Sequence, residues 1–255
     1  GWLTLLQGDL AGAERIWDQL SLDDEPNERL LRAVERAIEL ELRVLGDTAA
    51  AVRSGLDALE RHDIRELPMD DWPMEDLLFL FGEAGRPDLI RPLAEEWLDW
   101  LVGAGGPNGE LLARVIPQYL DAQERLHGND PAGGPALMRR AVDDASANGQ
   151  CDSLCVTLWL ATSHDLADQA DSAIVWYERY LETPALDRLD EDAQNLHRVL
   201  LRLGQLNDEL ERYEDARLYY GRFEQLWSEA DPRLMDRVEA VRRRLGELLE
   251  TPTTG

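Results

Sequence analysis

Histidines, cysteines and carboxylates are the side chains here that could bind a metal or carry protons, and their spacing argues against both roles. His62, His127, His164 and His197 are scattered along the chain. His62-Asp63 and His164-Asp165 are adjacent pairs, whereas two ligands on one helix face need an i, i+4 step. They read as core or surface histidines. Acid pairs such as Asp70-Asp71, Glu95-Glu96 and Asp143-Asp144 abound in a chain this acidic, so their abundance makes them poor evidence for general acid–base catalysis. Cys151 and Cys155, four apart, share one helical face; they read as small core thiols in a reducing compartment, since a disulfide across one turn has poor geometry. No nucleophile elbow, P-loop, zinc signature, dinucleotide fingerprint or kinase motif is present. The expectation is therefore a protein that is not an enzyme and holds no cofactor and no metal.

Charge narrows the choice of partners. The chain carries 26 basic and 52 acidic residues, a formal charge of −26, and every basic residue is Arg. Such a chain repels phosphate backbones and anionic membrane surfaces, and attracts a basic protein segment. Charged outer faces of helices account for much of the excess acid. The one basic run, Arg242-Arg243-Arg244, suits the C-terminal turn of a helix and its dipole. No stretch of about 18 apolar residues offers a membrane span, and no signal peptide is visible. We expect a cytoplasmic protein. The chain starts at Gly1 within a helical pattern, as a fragment of something larger would.

The elements that must position any site are helices. Leu30, Leu31, Val34, Ile38 and Leu42 form one apolar stripe; Leu234, Val238, Val241, Leu245 and Leu248 form another. Asp231 can cap the second, with Pro232 at its first position. No alternating strand pattern occurs. Gly8-Asp9, Gly46-Asp47, Gly85-Arg86-Pro87 and Gly128-Asn129-Asp130-Pro131 interrupt the periodic stretches as hairpin turns do, and longer breaks fall at 63–73, 103–108 and 183–190. The polar tail 251–255 should fray.

A repeat underlies these elements. In residues 200–226, Gly204, Tyr213, Ala216, Tyr220 and Phe223 stand at the spacings of a helix–turn–helix in which small residues let the helices approach and aromatic rings fill the space beside them. Ala173, Tyr177 and Tyr180 repeat the pattern, as do Ala51 with Ala58, Ala94 with Trp97, and Ala13 with Trp17. On this pattern the chain resembles the tetratricopeptide repeat superfamily over nearly its whole length, with a repeat longer than the standard one of about 34 residues. The end of the chain resembles the repeat arrays that follow bacterial serine/threonine kinase or regulator modules, with 234–250 as the helix that caps the stack. The resemblance implies an all-α fold: an α-α superhelix over 1–250, a single solenoid with possible subdivision near 103–108 or 128–134.

The resemblance also implies a function, a scaffold that holds a partner protein or peptide in a groove lined by the first helix of each pair. Groove candidates are Arg36, Leu40 and Arg43 from one pair, then Trp72, Glu75 and Phe79. Cys155, Leu158, Thr162 and Asp165 follow, and then Arg198, Leu201, Gln205 and Asp208. The family's carboxylate clamp is unexpected, because there is no Lys and because Leu158 and Leu201 occupy clamp positions. Trp72 and Trp100, flanked by acids and loops, are the tryptophans expected at the surface as contact points. The alternative is a regulatory region of a larger bacterial signalling enzyme such as a serine/threonine kinase. A HEAT-like array is the alternative fold.

Overall fold

A computed structural model of the protein describes residues 2–20, 26–104, 107–147, 153–185 and 188–250. Among these residues it is all helical, with thirteen α-helices and no strand. They run as antiparallel pairs: α1 (Trp2–Leu6) with α2 (Leu10–Leu20), then α3 (Pro26–Arg36) with α4 (Thr48–Arg61). Next come α5 (Met74–Glu83) with α6 (Pro87–Ala104), α7 (Pro107–Leu126) with α8 (Gly134–Ala147), and α9 (Ser153–Leu166) with α10 (Ala170–Glu182). The last pair is α11 (Arg188–Glu209) with α12 (Tyr213–Leu226), followed by α13 (Met235–Glu250). A π-helical segment, Ala37–Val44, continues α3. No helix among the described residues is long and apolar enough to cross a membrane.

One turn recurs between paired helices. Gly8, Gly46 and Gly85 take positive φ values of 74°, 68° and 71°, and Asp168 and Glu211 occupy the same left-handed position at 57° and 58°. The following amide then bonds back to the carbonyl five residues earlier, as in Arg86 N to Phe81 O (2.7 Å), Gln169 N to His164 O (2.9 Å) and Arg212 N to Asn207 O (2.8 Å). This is the Schellman stop, which satisfies the last carbonyls of the first helix and reverses the chain. With Gly128 in the fourth turn, these positions recur every 38 to 43 residues. Helix starts are capped as the sequence suggests: Asp47 Oδ1 accepts from Ala50 N at 2.8 Å, and Asp231 Oδ1 from Arg233 N at 2.9 Å.

The helices belong to two compact units. The central unit comprises Ser21–Leu42 and Gly46–Thr183; the terminal unit comprises Gly1–Leu20, Arg43–Leu45 and Pro184–Gly255. Both stretches proposed as subdivisions, 103–108 and 128–134, fall inside the central unit. The tail 251–255 lies outside the described residues.

The central unit has one apolar core running from Leu30 and Val34 through Leu77, Phe81 and Ile90 to Val142 and Leu160. The expected stripe of α3 points into it through Leu30, Val34 and Ile38, and Leu40, proposed for the groove, is also buried, at 3% exposure. Cys155, expected as a reduced thiol, is instead disulfide-bonded; Cys151, the only other cysteine, lies outside the described residues.

In the terminal unit the two ends of the chain meet. Helix α1 packs on α11. Trp227 Nε1 donates to Leu6 O at 3.3 Å across 221 positions of sequence, and Asp231 N donates to Gly8 O at 2.9 Å. Arg233 grips both oxygens of Glu14 at 2.9 Å. The small-residue code itself holds: a Cβ on Gly204 would lie 2.4 Å from the Tyr220 ring, and Ala216 and Phe223 are fully buried. Burial of a ring the size of Phe223 contributes about 1.5–3 kcal/mol.

Candidate functional site

The central unit presents its chemistry on the first helices of successive pairs. Phe79 on α5, Tyr119 on α7 and Trp159 on α9 meet in a triangular cluster of rings. Their centroids lie 6.4 Å apart for Phe79–Tyr119, 5.7 Å for Phe79–Trp159 and 4.8 Å for Tyr119–Trp159. Phe79 and Trp159 are half-buried and touch each other, and Tyr119 is buried beside both. Gly82 gives the ring room: a Cβ there would sit 2.5 Å from the Tyr119 hydroxyl, so the phenol lies close against bare backbone. Beside the cluster, Gln118 Nε2 donates to Asp144 at 3.0 Å.

A cavity of about 350 Å³ lies at one end of α5. The loop before the helix, expected as an irregular break at 63–73, folds into two 3-10 turns, Ile64–Glu66 and Met69–Asp71. Two indoles pin it: Trp72 Nε1 donates to Leu67 O and Trp97 Nε1, from α6, to Met69 O, each at 3.2 Å. The pinned loop and α3 then enclose a space with two kinds of wall. Trp72, Trp97, Leu31, Pro73 and Met74 supply apolar surface, and Glu28, Asp70, Asp71, Glu75 and Asp76 supply carboxylates. The lining contains no basic side chain. Among the described residues, Asp70, Asp71 and Glu75 are engaged by no cation, although arginine–carboxylate pairs are common elsewhere in the chain.

The terminal unit holds a different polar cluster. His197 is fully buried, stacks on Trp227 with centroids 4.5 Å apart, and donates from Nε2 to Arg43 O at 3.1 Å. Burial pushes its pKa down to about 3, and the charges of Arg198 and Arg237 push in the same direction. Arg237 donates to Val44 O (2.9 Å) and Leu45 O (2.8 Å), carbonyls at the end of the π-helical segment, and lies over the Trp227 ring. Burial lowers the Arg237 pKa as well. Neutral imidazole and guanidinium here satisfy backbone carbonyls and fix a strand of chain, a structural role.

The proposed groove residues divide between the two units. Arg36, Trp72 and Phe79 belong to the central unit; Arg43, Arg198, Leu201, Gln205 and Asp208 belong to the terminal unit. Phe79 joins the aromatic cluster. Trp72, expected at the surface, is only 6% exposed, because its indole is drawn under the loop; Trp100, at 37%, is exposed as expected. Arg43 bonds Gln194, and Gln205 accepts from Arg202 at 3.3 Å. Both oxygens of Asp208 are taken by Arg244 at 2.7 Å, so Asp208 anchors the final helix. That also corrects the reading of 242–244: the run sits mid-helix, where Arg242 pairs with Glu224 and Arg244 with Asp208, not at the dipole's negative end. Asp165 accepts from Tyr177 at 3.2 Å, and Leu158 and Thr162 are half-buried.

Tyr119, Trp159 and Trp97 are the site residues that the sequence reading did not pick out. The signal was present, since Phe79, Tyr119 and Trp159 stand 40 residues apart, one in each of three successive pairs. Among the described residues no three His, Cys, Asp or Glu side chains converge as metal ligands do. Comparison with known proteins finds no matching family model, no matching curated protein and no matching solved structure.

Proposed function

We propose that this chain is a partner-binding module of the tetratricopeptide type, which holds a segment of another protein against the first helices of the central unit. The observation that carries the reading is the cluster of Phe79, Tyr119 and Trp159, to which each of three packed hairpins gives one aromatic ring. Aromatic anchors on rigid elements contribute most to the affinity of protein interfaces, and a rigid surface loses little entropy on binding. The hairpin packing at Gly204, Ala216 and Tyr220 supports the tetratricopeptide assignment. The acidic composition favours a basic segment as the partner.

Panning a displayed random-peptide library on the protein tests this. Phe79→Ala and Trp159→Ala should each weaken the selected peptides at least tenfold, with helicity unchanged by circular dichroism. Peptides that bind both variants as tightly as the parent would refute the assignment of the face.

A further inference from the structure

The cavity at α5 has a lining that selects for one kind of side chain. We infer that it receives an arginine side chain from the basic segment of a protein partner. The inference rests on the partner-binding reading and specifies its chemistry.

Size comes first: about 350 Å³ is at the lower end of ligand cavities, suited to one long side chain. The walls come second. Leu31, Pro73 and Met74 match an aliphatic stem, and the carboxylates of Asp70, Asp71 and Glu75 match a cationic tip. The indoles are the third and independent feature. Both N–H groups are already donated to Leu67 O and Met69 O, so Trp72 and Trp97, each under a tenth exposed, turn narrow aromatic edges and no donor toward the cavity. The carboxylates of the lining repel an anion. A planar guanidinium finds both aromatic edges to pack against and carboxylates to accept its forked N–H groups. The three acids have no basic partner among the described residues, so an incoming arginine displaces no existing ion pair.

The experiment follows the indole N–H resonances of Trp72 and Trp97 in the ¹⁵N-labelled chain during titration with the capped tripeptide Ac-Gly-Arg-Gly-NH₂. Saturable shifts of these two signals are expected, with none from the alanine counterpart and at least threefold weaker binding of the lysine counterpart. The exposed triple substitution Asp70→Asn, Asp71→Asn, Glu75→Gln should weaken the arginine peptide at least tenfold, with circular dichroism unchanged. Four results would overturn the inference: no shift, equal shifts from the alanine or lysine peptide, the same shifts from magnesium at equal concentration, or unaltered binding by the triple variant. If one of these four results is found while panned peptides still bind through Phe79 and Trp159, only the arginine pocket falls; if those peptides ignore the aromatic rings while the tripeptide binds, only the partner-binding face falls.

Discussion

The two units are built from the same hairpin but use their charged and aromatic residues in opposite ways. In the terminal unit, polar groups and rings turn inward: Arg237 bonds Val44 O and Leu45 O, and His197, stacked on Trp227, bonds Arg43 O. In the central unit the core is apolar, while Phe79 and Trp159 stay half-buried and Asp70, Asp71 and Glu75 face outward. One repeat can therefore be tuned either to close on itself or to offer a surface, by where its polar atoms find partners.

The largest effect should come from the residue that closes the terminal unit. Trp227→Ala removes a fully buried indole, its bond to Leu6 O and its stack on His197, and should cost about 3–5 kcal/mol in urea unfolding. A loss below 1 kcal/mol would mean that the meeting of the chain ends is incidental.

The second effect depends on pH. His197 is held neutral, with its folded pKa depressed to about 3, while the unfolded chain takes up that proton below pH 6.5. The stabilisation is present above pH 6.5 and is lost as pH falls from 6.5 towards 3, by about 1.4 kcal/mol per unit. The stability gap between the parent and His197→Asn should narrow over that window. A gap constant with pH would show that His197 is not kept neutral. In the central unit burial lowers the His127 pKa as well, a contribution of the same sign.

A third test compares the same device in both units. Gly204→Ala drives a methyl into the ring carbons of Tyr220, at 2.4 and 2.6 Å, and should cost about 1–3 kcal/mol. In Gly82→Ala the closest atom is the hydroxyl at the tip of Tyr119, which can tilt away, so the cost should be smaller. Equal losses would mean that the aromatic cluster is packed as rigidly as the terminal unit. Smallest of all, Arg244→Ala breaks a part-exposed pair and should cost no more than about 1 kcal/mol, diminishing in high salt.

Much of this was legible in the sequence. The helical class, the turns at Gly8, Gly46 and Gly85, the cap at Asp231 and the contact of Gly204 with Tyr220 all follow from local rules of period, φ and side-chain size. The turn repeat was harder to read, because Asp168 and Glu211 hold left-handed positions without the glycine that marks them. The aromatic cluster was missed because the repeats were aligned on small residues, whose spacing varies, and not on the constant 40-residue step of the rings. Trp72 was misplaced because its loop looks polar; the carbonyl that draws its indole inward becomes available only when residues 64–71 coil. Asp208 and Arg244, 36 residues apart, carry no local mark of their pairing.

The closure of the terminal unit has a consequence for synthesis. Leu5 and Leu10 are almost completely covered in the folded protein, and the unit that covers them includes residues encoded some two hundred codons later. During translation the central hairpins can assemble as they emerge, while the first two helices wait for their cover. That interval is when the nascent protein is most exposed to proteases and misassembly. Ribosome-bound chains halted before residue 184 should show a cleavable leading segment ahead of a protected middle.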